Sequence, residues 1–297
     1  MKEQDCLLLV TLHEEQNMTN AADRLYLSQP AISYRLRQIE KEYTIKIINR
    51  EGNKIRFTPE GEYLVEFSKN TLLELSKMKD YIKTIKNDTQ GRLRIGVSSN
   101  FALYKLPPLV RKFLELHPKV QVKVNTGWSS EIVQLLEKNE IQIGIITGNY
   151  KWLEKKVLLN QDPISIISKK PINLKELPFL PMISYQPNNL IRKTQKPANP
   201  LSELIENWWQ EKFKSPPMTS MEVDKVETCK EMVQNNLGYS IIPKSCLTNN
   251  DSFYSYDLKM ENNQLIYRKT WLIFRESSLQ LTTVNDFAEH MKRAMRS

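Results

Sequence analysis

Cysteine, histidine and glycine are all scarce in this chain of 297 residues, with 3, 3 and 8 copies. Cys6, Cys229 and Cys246 are too few and too widely spaced for a disulfide framework or a zinc site. Cys6 lies in the apolar run Cys6-Leu7-Leu8-Leu9-Val10 and reads as core. Cys229 and Cys246 remain a candidate redox pair, without an obvious thiolate-stabilising neighbour. His13, His117 and His290 have no metal spacing, and His13 reads as structural. No GxGxxG, no P-loop and no nucleophile signature is present. No cofactor and no metal are therefore expected, and catalysis is disfavoured. No apolar run reaches the roughly 18 residues of a membrane-crossing helix. The opening Met-Lys-Glu-Gln-Asp is polar and unlike an export signal, so a cytoplasmic location without a membrane partner is expected.

The composition that remains, 40% hydrophobic and 26% charged, is that of a globular protein long enough for two or three domains. The net charge of +9 does not by itself point to nucleic acid. Residues 1–60 carry nine basic and nine acidic side chains, and residues 61–90 carry five of each. The excess lies after residue 90, where it suits an anionic small ligand or a surface of scattered lysines. Clustering is local: from Arg24 to Arg56 there are eight basic side chains against three acidic ones.

That cluster contains the most informative stretch. Asn20-Ala21-Ala22-Asp23-Arg24-Leu25 is a helix whose small residues allow another helix close. Tyr26-Leu27 turns the chain, Ser28 is a helix N-cap, and Pro30 occupies the first turn, where a missing N–H costs nothing. Ile32, Leu36 and Ile39 make one apolar face. Ser28, Gln29, Pro30, Ser33, Tyr34, Arg35, Arg37 and Gln38 form the other side, rich in groups that can donate to base edges and phosphates. An amphipathic helix with a solvated basic face has the same spacing. If Arg35 reads DNA, Arg35→Ala should weaken operator binding by roughly 1–3 kcal/mol.

Ala21-Ala22-x-x-Leu25-x-x-Ser28-Gln29-Pro30-Ala31-x-Ser33, continuing through Leu36, Ile39 and Glu40 to Thr58-Pro59-Glu60-Gly61, resembles the N-terminal domain of the LysR-type transcriptional regulators. The close likeness covers about the first sixty residues, and the length and layout of the rest fit. The resemblance implies double-stranded DNA as partner and an effector bound between two lobes.

A helix over about residues 4–15 should cover the back of the reading helix. Ile45 to Phe57 holds two β-rich runs around Glu51-Gly52-Asn53, a hairpin signal. As a wing it would turn Arg50, Lys54 and Arg56 toward the phosphate backbone or minor groove; as a plain hairpin it would be merely solvated. Thr58-Pro59 starts a helix running to about Asn87. Leu64, Ser68, Thr71, Leu75, Met78, Ile82 and Ile85 recur at four and three residues, a heptad seam. The seam suits a homodimer that places two reading helices on inverted-repeat half-sites. The other reading packs it on its own chain. The family resemblance adds a homotetramer, and RNA polymerase as a further partner.

Beyond the linker Asn87-Asp88-Thr89-Gln90-Gly91, strands alternate with helices. Leu93–Val97, Val120–Val124 and 141–146 are strands of a parallel βαβαβ unit, with a helix through Leu106-Pro107-Pro108 to about His117. A second unit runs from Pro163 through a helix with Trp208 and Trp209, the strand Thr219–Val223, the helix at 226–235 and the strand at 238–242. The chain returns through Trp271–Phe274 and a closing helix at 283–295. Crossings between lobes are expected near 158–162 and 267–270. The fold class is thus an all-α winged helix-turn-helix domain (1–58) with a long linker helix (59–90). An α/β two-lobed, periplasmic-binding-protein-like effector domain (91–297) follows. Lobe I spans about 91–161 and 269–297, and lobe II about 162–268.

Ligands of parallel sheets bind at the C-terminal strand ends, where helix N-termini point. Ser98, Ser99, Asn100, Trp128, Ser129, Thr147 and Thr228 fall at such ends, though Ser98 and Ser99 could equally be helix caps. The resemblance strengthens Ser99 and Thr228 as effector contacts. Arg268, near the second crossing, could hold a carboxylate with two parallel bonds. The run Glu222–Met232 bears a weak resemblance to a citrate-responsive branch from low-GC Gram-positive bacteria. Thr147-Gly148 stands where such members might carry a cation, which leaves tricarboxylate recognition open. The expected effector is a small, organic-acid-like anion. A cytoplasmic small-molecule-binding protein, or an enzyme with a DNA-binding appendage, is the alternative.

Overall fold

The computed structural model describes residues 1–51, 54–84, 89–186, 200–248 and 250–295. The chain divides into two compact units, Met1–Lys86 and Asn87–Ser297. The first unit comprises α1 (Glu3–Glu15), α2 (Met18–Leu25), α3 (Gln29–Tyr43), β1 (Ile48–Glu51), β2 (Lys54–Phe57) and α4 (Pro59–Thr84). Caps in the sequence set its short helices. Asn17 Oδ1 accepts the Thr19 and Asn20 amides at 2.8 and 3.1 Å, and Ser28 Oγ accepts the Ala31 amide at 3.3 Å. Between α2 and α3, Tyr26 takes a left-handed conformation at φ 56°, uncommon for a residue with a Cβ. Leu9 and Leu12 of α1, Ala21 of α2, Ile32, Leu36 and Ile39 of α3, the hairpin residues Ile48 and Ile55, and Leu64 and Val65 of α4 close one core. The first half of α4, expected as the start of the linker helix, thus packs Leu64 and Val65 into this core.

The second unit holds β3 (Gly91–Ser98), α5 (Ser99–Tyr104), α6 (Leu106–Leu116), β4 (Val120–Gly127), α7 (Ser129–Glu137) and β5 (Ile143–Thr147). Next come β6 (Lys155–Ser168), β7 (Met182–Tyr185), α8 (Pro200–Lys212), β8 (Thr219–Val223), α9 (Val226–Gln234) and β9 (Tyr239–Pro243). The unit closes with β10 (Tyr254–Asp257), β11 (Tyr267–Phe274) and α10 (Thr282–Ala294). The helix expected to run unbroken to His117 is two helices, broken at Lys105. Pro107 and Pro108 have no amide to continue the earlier helix, and each disfavours helical geometry in the residue before it.

The strands line up as β4-β3-β5-β11-β6-β9-β7-β8, with β10 also on β6. Lobe I is the parallel set β4-β3-β5, packed on α6 and α10 through Phe113, Phe287 and Met291. Lobe II is the parallel set β9-β7-β8, with Trp208 and Trp209 of α8 in its core. The crossings are not loops. They fall inside two long antiparallel strands that pair with each other, Arg268 opposite Asp162 and Tyr267 opposite Pro163. Past Pro163, β6 leaves β11 and joins β9 at Ile164. The lobes are thus joined by one hydrogen-bonded ribbon.

Candidate functional site

On the first unit, α3 presents Gln29, Pro30, Tyr34 and Arg37 to solvent, and Tyr34 is 62% exposed. Ser28 is exposed but its hydroxyl caps the helix. Ser33 is half-buried, and its carbonyl accepts Arg37 Nε at 3.2 Å. Arg35 departs from the expected picture. Its Nη2 donates to Asp5 Oδ2 at 2.7 Å, and its Nε donates to Asp5 Oδ1. The hairpin pairs Asn49 with Arg56, and Arg56 is exposed. The side chains of Arg50 and Lys54, and the turn at 52–53, lie outside the described residues. Tyr26, read from the sequence only as part of the turn, is the most exposed large hydrophobic side chain of this unit among the described residues, at 95%. It stands at the turn before α3, and its local signal was the break between two capped helices.

The expected seam on α4 needs correction. Leu64 is buried against its own chain, and Ser68 is fully buried with its hydroxyl on the Leu64 carbonyl. Neither has a face to give a second copy, because α1 takes that side of the helix. The outward stripe starts one residue earlier, at Tyr63 and Phe67, and continues through Met78, Tyr81 and Ile82. Thr71 is half-buried and donates to the Phe67 carbonyl; Leu75 is half-buried; Ile85 lies outside the described residues.

In the second unit the topology brings the expected residues of lobe I to one edge. Ser98 is in register with Gly127, and Thr270 with Thr147. Ser98 Oγ is buried and has no hydrogen-bond partner among the described residues; it does not cap α5. Ser99 donates weakly to the Gly127 carbonyl at 3.3 Å, Asn100 is half-buried, and Trp128 is exposed. Ser129 is committed elsewhere. Its hydroxyl donates to the Thr147 carbonyl at 3.1 Å and accepts the Thr147 amide at 3.0 Å. That closed pair ties α7 to β5, so the expected Ser129 contact is a structural clasp, and Thr147 offers only its own hydroxyl. Thr228 lies half-buried in the first turn of α9, whose N-terminus has no side-chain cap.

Arg268 stands on the joining ribbon between the lobes. Burial lowers its guanidinium pKa, opposed by the neighbours Tyr185, Cys246, Tyr150 and Asp162. Among the described residues it has no ion pair, and its buried Nε has no partner. Asp162, directly opposite, instead accepts the Ser245 amide at 2.9 Å and the Ser245 hydroxyl. Burial raises the Asp162 pKa despite those bonds. A desolvated guanidinium with an open donor favours an anionic partner.

Tyr104 is a residue the sequence did not single out. It ends α5 of lobe I, yet its ring packs into the lobe II cluster with Val226, Cys229 and Cys246. The Lys230 ammonium stands 5.4 Å from its ring centroid. Burial and a hydrogen bond to Glu227 raise its phenol pKa.

The environment of the thiols does not favour a redox pair. Burial pushes Cys229 up to about 11 and Cys246 up to about 12, and both are free and buried. We expect Cys6, Cys229 and Cys246 to resist iodoacetamide in the native chain at pH 7, and all three to react once urea unfolds it. Fast labelling of Cys229 or Cys246 in the native state would restore the redox reading. The histidines are structural. His13 meets Glu62 at 3.0 Å and the Phe57 ring edge-on; His290 meets the Leu109 carbonyl at 2.9 Å; His117 packs on Phe113. Among the described residues no three metal-binding side chains gather, and no helix is long and apolar enough to cross a membrane.

These parts define a class: a winged helix-turn-helix unit followed by a two-lobed α/β binding unit. The chain belongs to the LysR family of bacterial transcriptional regulators and is not an enzyme. The family model for a bacterial regulatory helix-turn-helix protein of the lysR family matches residues 4–62, and that for the LysR substrate binding domain matches residues 86–296. An uncharacterized HTH-type transcriptional regulator of Bacillus subtilis (strain 168), YraN, is 42% identical over 292 residues, covering 98% of either chain. A second from the same organism, YkuM, is 32% identical over 98% of this chain and 97% of its own. Full-length CbnR, solved in complex with its target DNA, superposes with a TM-score of 0.71 at 19% identity. That match covers 99% of this chain and all of CbnR.

Proposed function

We propose that the chain is a cytoplasmic, dimeric regulator whose activity is set by a small carboxylate held between the lobes. Arg268 supports this most directly: burial lowers its guanidinium pKa, its Nε has no hydrogen-bond partner among the described residues, and it stands on the ribbon that joins the lobes. Its two-pronged end suits a carboxylate, Ser98 Oγ offers a further unsatisfied donor, and Ser99, Asn100, Trp128, Thr147 and Thr228 would complete the site. A ligand that bridges the lobes shifts the population toward the arrangement it binds better. Gln29, Tyr34, Arg37 and Arg56 would read and grip the operator, as would Arg50 and Lys54 on the hairpin. The outward stripe Tyr63, Phe67, Met78, Tyr81 and Ile82, with half-buried Leu75 beside it, would pair with its copy, so the operator would hold inverted half-sites. A homotetramer and RNA polymerase are the wider partners this reading carries.

The test is a thermal-shift series with mono-, di- and tricarboxylates and amino acids, each set beside its neutral amide. Carboxylates that raise the melting point of the second unit, with inert amides, are the expected result. Equal shifts from acids and amides, or none from any acid, would overturn the carboxylate assignment.

A further inference from the structure

Asp5 is the one carboxylate of the first unit whose side chain is wholly excluded from solvent, among the described residues. It sits in the first turn of α1, where Oδ2 accepts the Lys2 amide at 2.6 Å. Both carboxylate oxygens also receive the Arg35 fork, Nη2 at 2.7 Å and Nε on the other oxygen. Burial alone would raise the Asp5 pKa, but the Arg35 and Lys2 hydrogen bonds prevail and hold it below the ordinary carboxylate value. The partners are 30 residues apart in sequence. Arg35 lies in the middle of α3, between Tyr34 and Arg37, which face outward. Two parallel bonds fix a guanidinium in plane and direction, which a single ammonium contact does not.

We propose that Arg35 is a positioning residue for DNA reading: its fork on buried Asp5 sets the rotation and tilt at which α3 presents Gln29, Tyr34 and Arg37. This rests on α3 being the reading helix. A side chain that reads a base or grips a phosphate acts through its own contact. Arg35 acts through a carboxylate that cannot touch DNA, so altering Asp5 must change recognition even though Asp5 is never at the interface.

The experiment uses the full chain, a duplex enriched by wild-type protein from a random pool, and a scrambled duplex of the same composition. Affinities are measured across a salt series, with the fold of each variant checked by circular dichroism. Asp5→Asn removes a negative charge, which on charge alone would tighten DNA binding. The expected result is the reverse: about tenfold weaker binding to the selected duplex, unchanged binding to the scrambled one, and an unchanged salt slope. Arg35→Lys keeps the charge, loses the fork and should behave alike. It also serves as the folded variant if Asp5→Asn melts. The double variant should be no worse than either single one. The proposal is overturned if Asp5→Asn reads the selected duplex as wild type does. It is equally overturned if Arg35→Lys is neutral while Arg35→Ala lowers the salt slope by about 1, the mark of a direct phosphate contact. Tyr34→Ala tests the reading face separately: normal affinity there would sink α3 as the reader, whatever Asp5 does.

Discussion

Gly61→Ala is expected to cost the first unit about 2–4 kcal/mol and to abolish operator binding at physiological temperature. A Cβ on Gly61 would lie 2.2 Å from the Ile47 carbonyl oxygen and 3.1 Å from its carbon. Those are backbone atoms, and they are already engaged. Ile47 O accepts the Thr58 amide at 3.0 Å, while the Thr58 hydroxyl donates to the neighbouring Lys46 carbonyl at 2.5 Å. The same Thr58 hydroxyl accepts the Gly61 amide at 3.0 Å. A methyl group therefore separates the start of α4 from the strand-leading segment and breaks this cap. Alanine recovers about 1 kcal/mol of helix propensity over glycine, too little to offset the loss. The check is thermal unfolding followed on the helical signal, where a fall of about 10 °C or more is expected. An unchanged midpoint would mean that α4 can slide away from Ile47 without penalty, and that its seating on the core is looser than described.

Arg268→Met should separate stability from response, with opposite signs. The guanidinium is desolvated, lacks an ion pair among the described residues and leaves Nε without a partner. Methionine has a similar unbranched reach and no charge to desolvate. An apolar side chain there removes the cost of desolvating a cation whose donors are not all met. One term opposes this: Asp162 lies opposite on the ribbon and loses a favourable cation. The Ser245 amide and hydroxyl continue to hold it, so the net sign is expected to favour methionine. Without ligand, the second unit should melt at or above the wild-type temperature. Any carboxylate that stabilises the wild type should have no effect on the variant. A lower melting point with the carboxylate shift retained would make Arg268 a structural partner of Asp162 and remove it from the effector site.

The sequence by itself determined what depends on neighbours within a turn or two. Asn17, Ser28 and Pro30 start α2 and α3. Ile32, Leu36 and Ile39 choose which side of α3 goes inward. The alternation of apolar runs and helices in 91–147 specifies the parallel set of lobe I. A cap bonds an amide two or three residues away, and an apolar period shows itself over two turns, so both are legible in a one-dimensional string.

Only the tertiary structure decided the rest, because the deciding partner stood far along the chain. Arg35 looked like a reading residue on the helix surface until Asp5, thirty positions earlier, was found beneath its fork. The expected seam differs at its start, since Leu64 and Ser68 are buried within the first unit and Tyr63 and Phe67 are left exposed. Ser129 and Thr147 bond to each other only because β5 runs beside the start of α7. Arg268 was a candidate from its place in the sequence, but only the pairing of two distant strands shows it on the ribbon opposite Asp162 with its Nε unpartnered among the described residues. Periodicity says which side of an element is buried, but which group meets a buried charge depends on how the elements are packed.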